Sequence, residues 1–532
     1  MTYISFSFLL FFIVVSTIYF CTPSKYQYIV LLAASYLFYF FASEQLPVYM
    51  MITSVIIYAG TNMISKIDSK TISAVSTTHD LTREQKKILT AGGKKKKKTV
   101  LVFIILLNLG VLTVFKYTNP LMSGLSGFMQ SIGFSGFSQE FRLVLPLGIS
   151  FYTFQSLGYS IDVFRGTAKA EKNILKTALF ISYFPQIVQG PIGRFGQLAP
   201  QLFAPHRFSF ERLKRNLFLI LWGFIKKMVI ADSLALMGNE MFTNYSSYDG
   251  FQLFLGIMVY AIQLYTDFSG CMDIAMGFSG TLGIQLAYNF RQPYFSQSVA
   301  EFWRRWHISL CMWFRDYLFY PIIMSKRMKN IEKRLKARKH ATAAVNIPTF
   351  IGMIVVWSLT GLWHAAGWPY ILWGILNGVI MICGIQFRKA YSLINTRLHI
   401  KEDSWWWKGF RIVRTFMIMA LLNFICGFDK MGDVAACLMR VLKNPFPRSV
   451  SASYIFPVLI DKSIYFIVAL FMICMSLLLY SIYEETKGSV VEKISGKNWT
   501  FQGAVLLALS FSVIFFSEVS TDLSGGFMYA QF

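Results

Sequence analysis

The chain contains repeated apolar runs of about 18 to 22 residues, each long enough to cross the hydrocarbon core of a bilayer as a helix. Of its 532 residues, 55% are hydrophobic and only 14% are charged. A soluble chain of this length would need far more polar surface to cover its core. We therefore predict an all-α integral membrane protein that forms a single polytopic domain over residues 1–532.

Two stretches do not read as simple spans. Residues 176–194 are interrupted by Pro185, Gly190 and Pro191, and residues 293–325 are aromatic but contain several arginines. Irregular backbone at membrane depth is tolerated only where protein or a water-filled cavity surrounds it. We expect about twelve transmembrane helices plus re-entrant helices around a central tunnel, with one re-entrant run within 250–286. The candidate spans are 3–21, 26–43, 46–65, 99–116, 143–163, 216–237, 250–266, 271–286, 346–366, 369–387, 410–428, 463–483 and 500–518.

The net charge of +25 is concentrated in short segments between apolar runs. Ten Lys or Arg lie in 66–98, eight in 326–339 and six in 388–411. The positive-inside rule places these segments in the cytoplasm, so we predict a multi-pass cell-membrane protein with both termini extracytoplasmic and no nucleic-acid partner. The basic residues act either as topology anchors alone or also as attractors of anionic lipid or a polyanionic substrate.

The N-terminal residues do not indicate a cleavable signal, and the cysteines do not indicate a disulfide framework or a metal site. No basic residue precedes Lys25, so we expect the first apolar run to stay as a span and not to be cleaved as a signal. The seven Cys are scattered without a CxxC pair. Neither a disulfide framework nor a metal centre is predicted.

Two carboxylates interrupt the apolar run 251–285, at Asp267 and Asp273. A charged side chain at the bilayer centre costs about 2.5–3.5 kcal/mol on insertion scales, which makes both carboxylates candidates for tunnel or support residues. The alternative is that they pair with Arg304 or Arg305 and only stabilise the fold.

Residues 298–321 are expected to form a helix. Phe302, Trp306, Leu310 and Trp313 would make one apolar stripe suited to the membrane interface. Glu301 can pair with Arg305 at i,i+4, and Arg304, His307 and Cys311 share another face. The segment is therefore either an interfacial helix whose His307 is a bystander or part of a site.

His364 lies well inside the apolar segment 359–378, between Trp363 and the small residues Ala365, Ala366 and Gly367. Imidazole has an unperturbed pKa near 6.5 and can take up a proton at physiological pH. A lone histidine in an apolar helix can also be a packing residue. The small neighbours leave room for a substrate and favour a functional role.

Three stretches in this order resemble the core of the membrane-bound O-acyltransferases, in particular their bacterial alginate O-acetyltransferase branch. They are YFPQIVQGPIGRF at 183–195, the long run from IQLYTDFSG to RDYLFYP at 262–321, and LWHAAGWPYILWG at 362–374. The resemblance covers roughly residues 140–390 strongly. Several long motifs in one order are more specific than any single histidine.

The resemblance implies that His364 is the catalytic base and that His307 lines the same tunnel, with Trp306 and Trp363 as further tunnel or support candidates. It also implies an acyl-coenzyme A donor, with acetyl-coenzyme A as the donor in this branch, and no permanently bound cofactor. The acyl group would be exported for O-acylation of a cell-envelope or secreted polysaccharide, with an extracytoplasmic SGNH-type esterase-like partner.

The C-terminal sequence GGFMYAQF, in a tail predicted to be extracytoplasmic over 518–532, resembles an aromatic tail of some relatives. Tyr529 would then carry the acyl group; alternatively it is an interfacial aromatic anchor. Two other classes stay open from the residues. A transporter or flippase for a lipid-linked saccharide would also show intramembrane carboxylates and broken helices, and a non-catalytic scaffold of a secretion complex is the third.

Overall fold

The computed structural model describes every residue except 44–46, 78–80, 135–142, 450, 452–453, 455–463 and 518–532. Within those described residues the chain is helical and contains no β-strand. It divides into two compact units. Unit 1 comprises Met1–Leu213 and Phe278–Ala287, and unit 2 comprises Lys214–Gly277 and Tyr288–Phe532.

The helices are numbered here in chain order, and two segments between them, Ile225–Ala231 and Arg315–Phe319, are π-helical. The α-helices are α1 Phe6–Cys21, α2 Gln27–Ser43, α3 Val48–Thr77, α4 Arg83–Ser131, α5 Ile149–Arg165, α6 Ile174–Ser182, α7 Phe184–Ile187, α8 Phe195–Phe203, α9 Phe210–Phe224, α10 Asp232–Thr243, α11 Gly250–Thr281, α12 Val299–Arg305, α13 Ile308–Phe314, α14 Tyr320–Ile323, α15 Lys326–Ala337, α16 Ala341–His364, α17 Trp368–Gln386, α18 Arg388–Arg397, α19 Trp405–Phe424, α20 Met431–Lys443, α21 Ile464–Lys487, α22 Val490–Ser495 and α23 Trp499–Phe516.

Nine helical segments in the described part of the chain are long and apolar enough to cross a membrane. This confirms the predicted all-α, multi-pass membrane protein, whereas the count of about twelve spans is not confirmed. The nine segments are Ser24–Ser43, Val48–Thr77, Arg83–Ser131, Gly250–Thr281, Ala341–His364, Trp368–Gln386, Trp405–Gly427, Tyr465–Lys487 and Trp499–Phe516.

In unit 1, the predicted break within 176–194 is present. α6 ends at Ser182, and α7 is a single short turn before the backbone becomes irregular. The buried amide of Gln155 on α5 holds this segment: its Oε1 accepts from Gln186 Nε2 and from Gly193 N, both at 2.9 Å, while its Nε2 donates to Phe180 O. One side chain thus satisfies backbone groups that a broken helix leaves unpaired.

Helix α11 differs from the prediction. The expected spans 250–266 and 271–286 are one continuous helix through residue 281, and no re-entrant run interrupts it between 250 and 281. The absence of a side chain at Gly270 lets α11 approach α9 closely, because a Cβ there would lie 2.8 Å from Gly223 O. The polar residues near Gly270 therefore mark a tight helix contact and not a break in the helix.

Helices α16 and α17 form a close antiparallel pair joined by the small residues 365–367. A Cβ on Gly361 would overlap Tyr370 O, and one on Gly374 would overlap Trp357 O. Pro369 lies in the first turn of α17, where its missing N–H costs nothing. Two glycines and a proline thus bring the ends of both helices together beside His364.

Candidate functional site

A cavity of about 590 Å³ lies within unit 2, and α12, α13, α16 and α17 contribute to its wall. Small-molecule and cofactor sites typically measure about 300–1,000 Å³. Both histidines singled out by the sequence, His307 and His364, line this cavity, and four tryptophans are among its apolar lining residues. Arg304 and Arg315 also line it. We call it the histidine cavity.

The histidine cavity is long. It reaches from Thr349 to His364, which lie in the same helix, α16. Fifteen residues of α-helix rise roughly 22 Å, so the cavity extends along α16 over a length comparable with most of a bilayer's hydrocarbon thickness. The helix α15 packs against α16, and its exposed residues include most of the predicted basic cluster at 326–339.

His307 lies at a break that the sequence did not predict. The expected single helix over 298–321 is instead α12 and α13, with Trp306 extended and His307 in the left-handed region at a φ of 44°. Such a conformation costs a non-glycine residue of order 1–3 kcal/mol and is found preferentially at functional sites. The break turns the imidazole of His307 into the cavity wall.

The predicted interfacial stripe over this segment is wrong. Its four members are buried inside the protein, each less than 9% exposed, and so do not face the membrane surface. The three residues predicted to share the other face still lie together although the helix is broken, because Arg304, His307 and Cys311 all line the histidine cavity. The stripe residues are Phe302, Trp306, Leu310 and Trp313.

The side chain of Asn289 meets the break from the preceding loop. Its Oδ1 accepts from Ser309 N at 2.9 Å and lies 3.4 Å from His307 Nδ1. The Asn289 backbone carbonyl accepts from Ile308 N at 3.0 Å. The ring of Phe268 packs edge-on against the imidazole at 4.8 Å. Burial lowers the pKa of His307 from 6.5 to about 3, so this imidazole is neutral at physiological pH.

His364 is the last residue of α16. Its ring packs at 4.7 Å from the ring of Trp363 and at 5.3 Å, edge-on, from the ring of Trp373. The indole Nε1 of Trp373 donates to Asn423 Oδ1 at 3.1 Å, which fixes the tryptophan that orients His364. His364 therefore lies at the carbonyl end of α16, which carries partial negative charge.

A tryptophan cluster forms part of the wall of the histidine cavity beside His364. The rings of Trp303 and Trp357 lie 4.6 Å apart, and Trp303 and Trp373 lie 5.6 Å apart. Trp303 Nε1 donates to the buried amide of Asn377 at 3.0 Å. Since each of these two indole N–H groups has a side-chain acceptor, the wall is rigid and apolar toward the cavity.

The arginines predicted near the site have different positions. Arg304 lines the cavity, whereas Arg305 forms ion pairs with Glu301 at 2.7 Å and with Glu485 of α21 at 2.7 Å. The predicted i,i+4 pair of Glu301 and Arg305 is therefore confirmed. Arg305 thereby fixes the end of α12 next to Trp306 and His307.

The two intramembrane carboxylates pair with lysines, and the expected pairing with Arg304 or Arg305 is wrong. Asp273 binds Lys226 at 2.5 Å, and Asp267 binds Lys227 at 2.7 Å. Lys227 also binds Asp232 at 2.8 Å. The π-helical turn allows this, because its wider spacing points two consecutive lysines at α11. These ion pairs connect the π-helical turn to α11, and Phe268, the next residue after Asp267 in α11, contacts His307.

Sequence reasoning missed Asn289, Asn423 and the lysine pair. A signal existed for Lys226 and Lys227, because two consecutive charges inside the predicted span 216–237 require partners in the membrane. For the asparagines no local pattern was available, since their acceptor roles arise from contacts across the fold. Tyr529 and the tail at 518–532 lie outside the described residues, so their predicted role stays a prediction.

The part of the chain that forms the histidine cavity is also the part that matches a known protein family. The family profile described as "MBOAT, membrane-bound O-acyltransferase family" matches residues 165–427. This interval contains every residue that lines the histidine cavity.

Three relatives carry different names. The Azotobacter vinelandii "Probable alginate O-acetylase AlgI" is 33% identical over 68% of the chain and 64% of that protein. The Helicobacter pylori "Peptidoglycan O-acetyltransferase" is 26% identical over 78% of the chain and 80% of that protein. The Streptococcus thermophilus "Teichoic acid D-alanyltransferase" is 30% identical over 54% of the chain and 69% of that protein. Alignments with three alginate O-acetylase relatives cover 64%, 49% and 52% of those proteins' length.

Proposed function

Because the chain belongs to the membrane-bound O-acyltransferase family, we propose that it transfers an acyl group from a thioester donor to a hydroxyl group. The observation that carries this proposal is the histidine cavity, which brings His307 and His364 from two separate motifs to one apolar chamber. The three relatives are named for the acylation of alginate, peptidoglycan or teichoic acid. We therefore propose a cell-envelope or secreted polysaccharide as the final acceptor.

In the proposed reaction, His364 takes the proton from the attacking hydroxyl, whose oxygen forms a bond to the thioester carbonyl carbon. The carbon–sulfur bond then breaks, and the leaving thiolate takes the proton back from His364. A hydroxyl is a poor nucleophile without such a base. The helix end at His364 favours the transient imidazolium, and the tryptophan wall limits competing hydrolysis by water.

The length of the cavity supports a donor in which the thioester sits at the end of a flexible arm. A thioester arriving from the α15 side must travel roughly 22 Å along α16 to reach His364. The pantetheine arm of acyl-coenzyme A has a suitable length and is thin enough for an apolar tunnel. The exposed basic residues of α15 would attract its phosphates. We propose acetyl-coenzyme A as the donor.

We further propose that the basic segments face the cytoplasm of the cell, or inner, membrane and that both termini lie outside. The acyl group then leaves on the opposite face, where an SGNH-type partner would pass it to the polysaccharide. This assignment rests on the distribution of Lys and Arg, which crowd into 66–98, 326–339 and 388–411.

One vesicle experiment tests activity and orientation together. Purified protein is reconstituted in proteoliposomes. The fraction of molecules with the Lys94–Lys98 segment on the outside is measured by its accessibility to added protease. Radiolabelled acetyl-coenzyme A added outside should acylate a hydroxyl acceptor only in proportion to that fraction. Transfer proportional to the opposite fraction would reverse the orientation, and saccharide movement without any acyl transfer would replace the enzyme by a transporter.

Tyr529 is proposed to carry the acyl group between the cavity and the outer acceptor. Tyr529→Phe keeps the ring and its affinity for the interface but deletes the nucleophilic oxygen, so delivery to the polysaccharide should fall to background. Mass spectrometry of the wild-type C-terminal peptide should find an alkali-labile acyl group. An interfacial anchor predicts the opposite, because Phe serves nearly as well in that role; full polysaccharide acylation by the variant would exclude the relay.

A further inference from the structure

We propose that Asn289 is a positioning residue that holds the His307 imidazole in the tautomer with hydrogen on Nδ1. His307 then presents an unprotonated Nε2 and acts as a hydrogen-bond acceptor in the histidine cavity. This inference rests on the proposed acyl transfer and assigns the substrate group at His307. That group must be a hydrogen-bond donor, such as the attacking hydroxyl or an amide N–H of the thioester arm, and cannot be the oxyanion of the tetrahedral intermediate.

The orientation of the Asn289 amide is determined by a backbone donor. Ser309 N–H donates to the Oδ1 atom at 2.9 Å, and Nδ2 faces the sulfur of Met272 at 3.2 Å. The atom 3.4 Å from His307 Nδ1 is therefore the oxygen, which can only accept. Nδ1 must carry the hydrogen, and in neutral imidazole Nε2 then carries none.

The surroundings favour this single neutral state. The ring lies at the start of α13, where the helix dipole disfavours added positive charge, and Phe268 packs against it. Burial also holds the pKa of His307 far below physiological pH. The other titratable groups that line the same cavity are Tyr260, Arg304, Cys311, Arg315, His364, Tyr370 and Cys426.

The Oδ1 atom of the buried Asn289 amide has two partners, the N–H of Ser309 and the Nδ1 atom of His307. Its Oδ1 accepts from the N–H of Ser309, the second residue of α13, while its backbone carbonyl accepts from the N–H of Ile308, the first. The same side chain thus stabilises the left-handed backbone of His307 and selects the tautomer of its ring. A purely structural role would need only the first of these two contacts.

Two substitutions separate positioning from packing. Asn289→Asp keeps an acceptor for both Ser309 and Nδ1, and its carboxylate should raise the basicity of His307. Protonation of His307 then removes the acceptor at Nε2 and adds to the acid limb of kcat/KM that His364 sets, so this limb moves to higher pH. Asn289→Leu removes the acceptor and should lower kcat by about 10- to 100-fold with a smaller change in KM. The control is Asn108→Leu, which removes another buried amide, on α4, and should leave the acid limb unchanged.

Nitrogen-15 NMR of histidine-labelled protein reads the tautomer directly, with His307→Gln assigning the signals. The wild type should show a protonated Nδ1 and an unprotonated Nε2, and Asn289→Leu should lose that preference. A wild-type spectrum with the hydrogen on Nε2 would overturn the proposal. So would equal kcat and identical pH profiles for the Asp and Leu variants. Because NMR needs no turnover, it tests the tautomer even where the proposed acyl transfer fails.

Discussion

Replacing His364 by alanine should remove acyl transfer by several orders of magnitude while the protein stays folded and inserted. Loss of a general base alone accounts for about 10²–10⁴-fold, and loss of substrate positioning adds to it. The side chain is half-buried at the end of α16, and its packing partners Trp363 and Trp373 keep their other contacts. The measurement is initial transfer rate in proteoliposomes at saturating donor.

The matched control for this variant is His340→Ala, which removes an exposed histidine at the opposite end of the same helix. It should keep the wild-type rate. Size-exclusion profiles and thermal unfolding of both variants should match those of the wild type. A His364→Ala enzyme with near-normal transfer would end the proposed mechanism, and the base would then have to be sought elsewhere in the cavity.

Replacing Lys227 by methionine should be the most destabilising single change in the ion-pair network of unit 2. The variant leaves the carboxylate of Asp267, which is 2% exposed, next to an uncharged side chain. Breaking a buried pair by removing one partner costs about 3–5 kcal/mol, a large part of the 5–15 kcal/mol that stabilises a typical protein. We expect a sharp fall in membrane-inserted protein and in the unfolding temperature measured in detergent.

Two comparisons make that result specific. Lys336→Met breaks the exposed pair with Glu332 and should change stability by less than about 1 kcal/mol. The double variant Lys227→Met with Asp267→Leu removes both buried charges and should recover much of the loss, because an apolar pair needs no compensation in the membrane. If Lys227→Met alone were as stable as the wild type, the network would not hold the helices together.

Much of the architecture was predictable because its signals are local. Apolar runs of bilayer length fix a multi-pass helical protein, and prolines and glycines within 176–194 fix a broken segment. The pair Glu301–Arg305 follows from helical spacing within one turn. The presence of a cavity at the aromatic, Arg-containing stretch 293–325 was also expected, since irregular backbone in a membrane must border protein or a cavity.

The incorrect predictions concern contacts between residues far apart in the sequence, which a local sequence pattern does not encode. Asp267 and Asp273 needed cationic partners, but lysines about 40 residues earlier and arginines about 30 residues later were equally plausible from the sequence. The π-helical turn and the contact of Gly223 with Gly270 decide for the lysines, because they bring α9 and α11 to backbone contact. Helical periodicity likewise predicted one helix over 298–321, and the break at His307 depends on acceptors supplied by Asn289.

By itself the sequence determined that this chain is a helical membrane protein, and its ordered motifs indicated both histidines. Composition and spacing suffice for this, because the bilayer permits few backbone arrangements. Only the tertiary structure placed His307 and His364 on one cavity, gave His307 a left-handed backbone and put the Asn289 oxygen beside its Nδ1. Such features depend on residues far apart in the chain, and packing alone decides which of them meet.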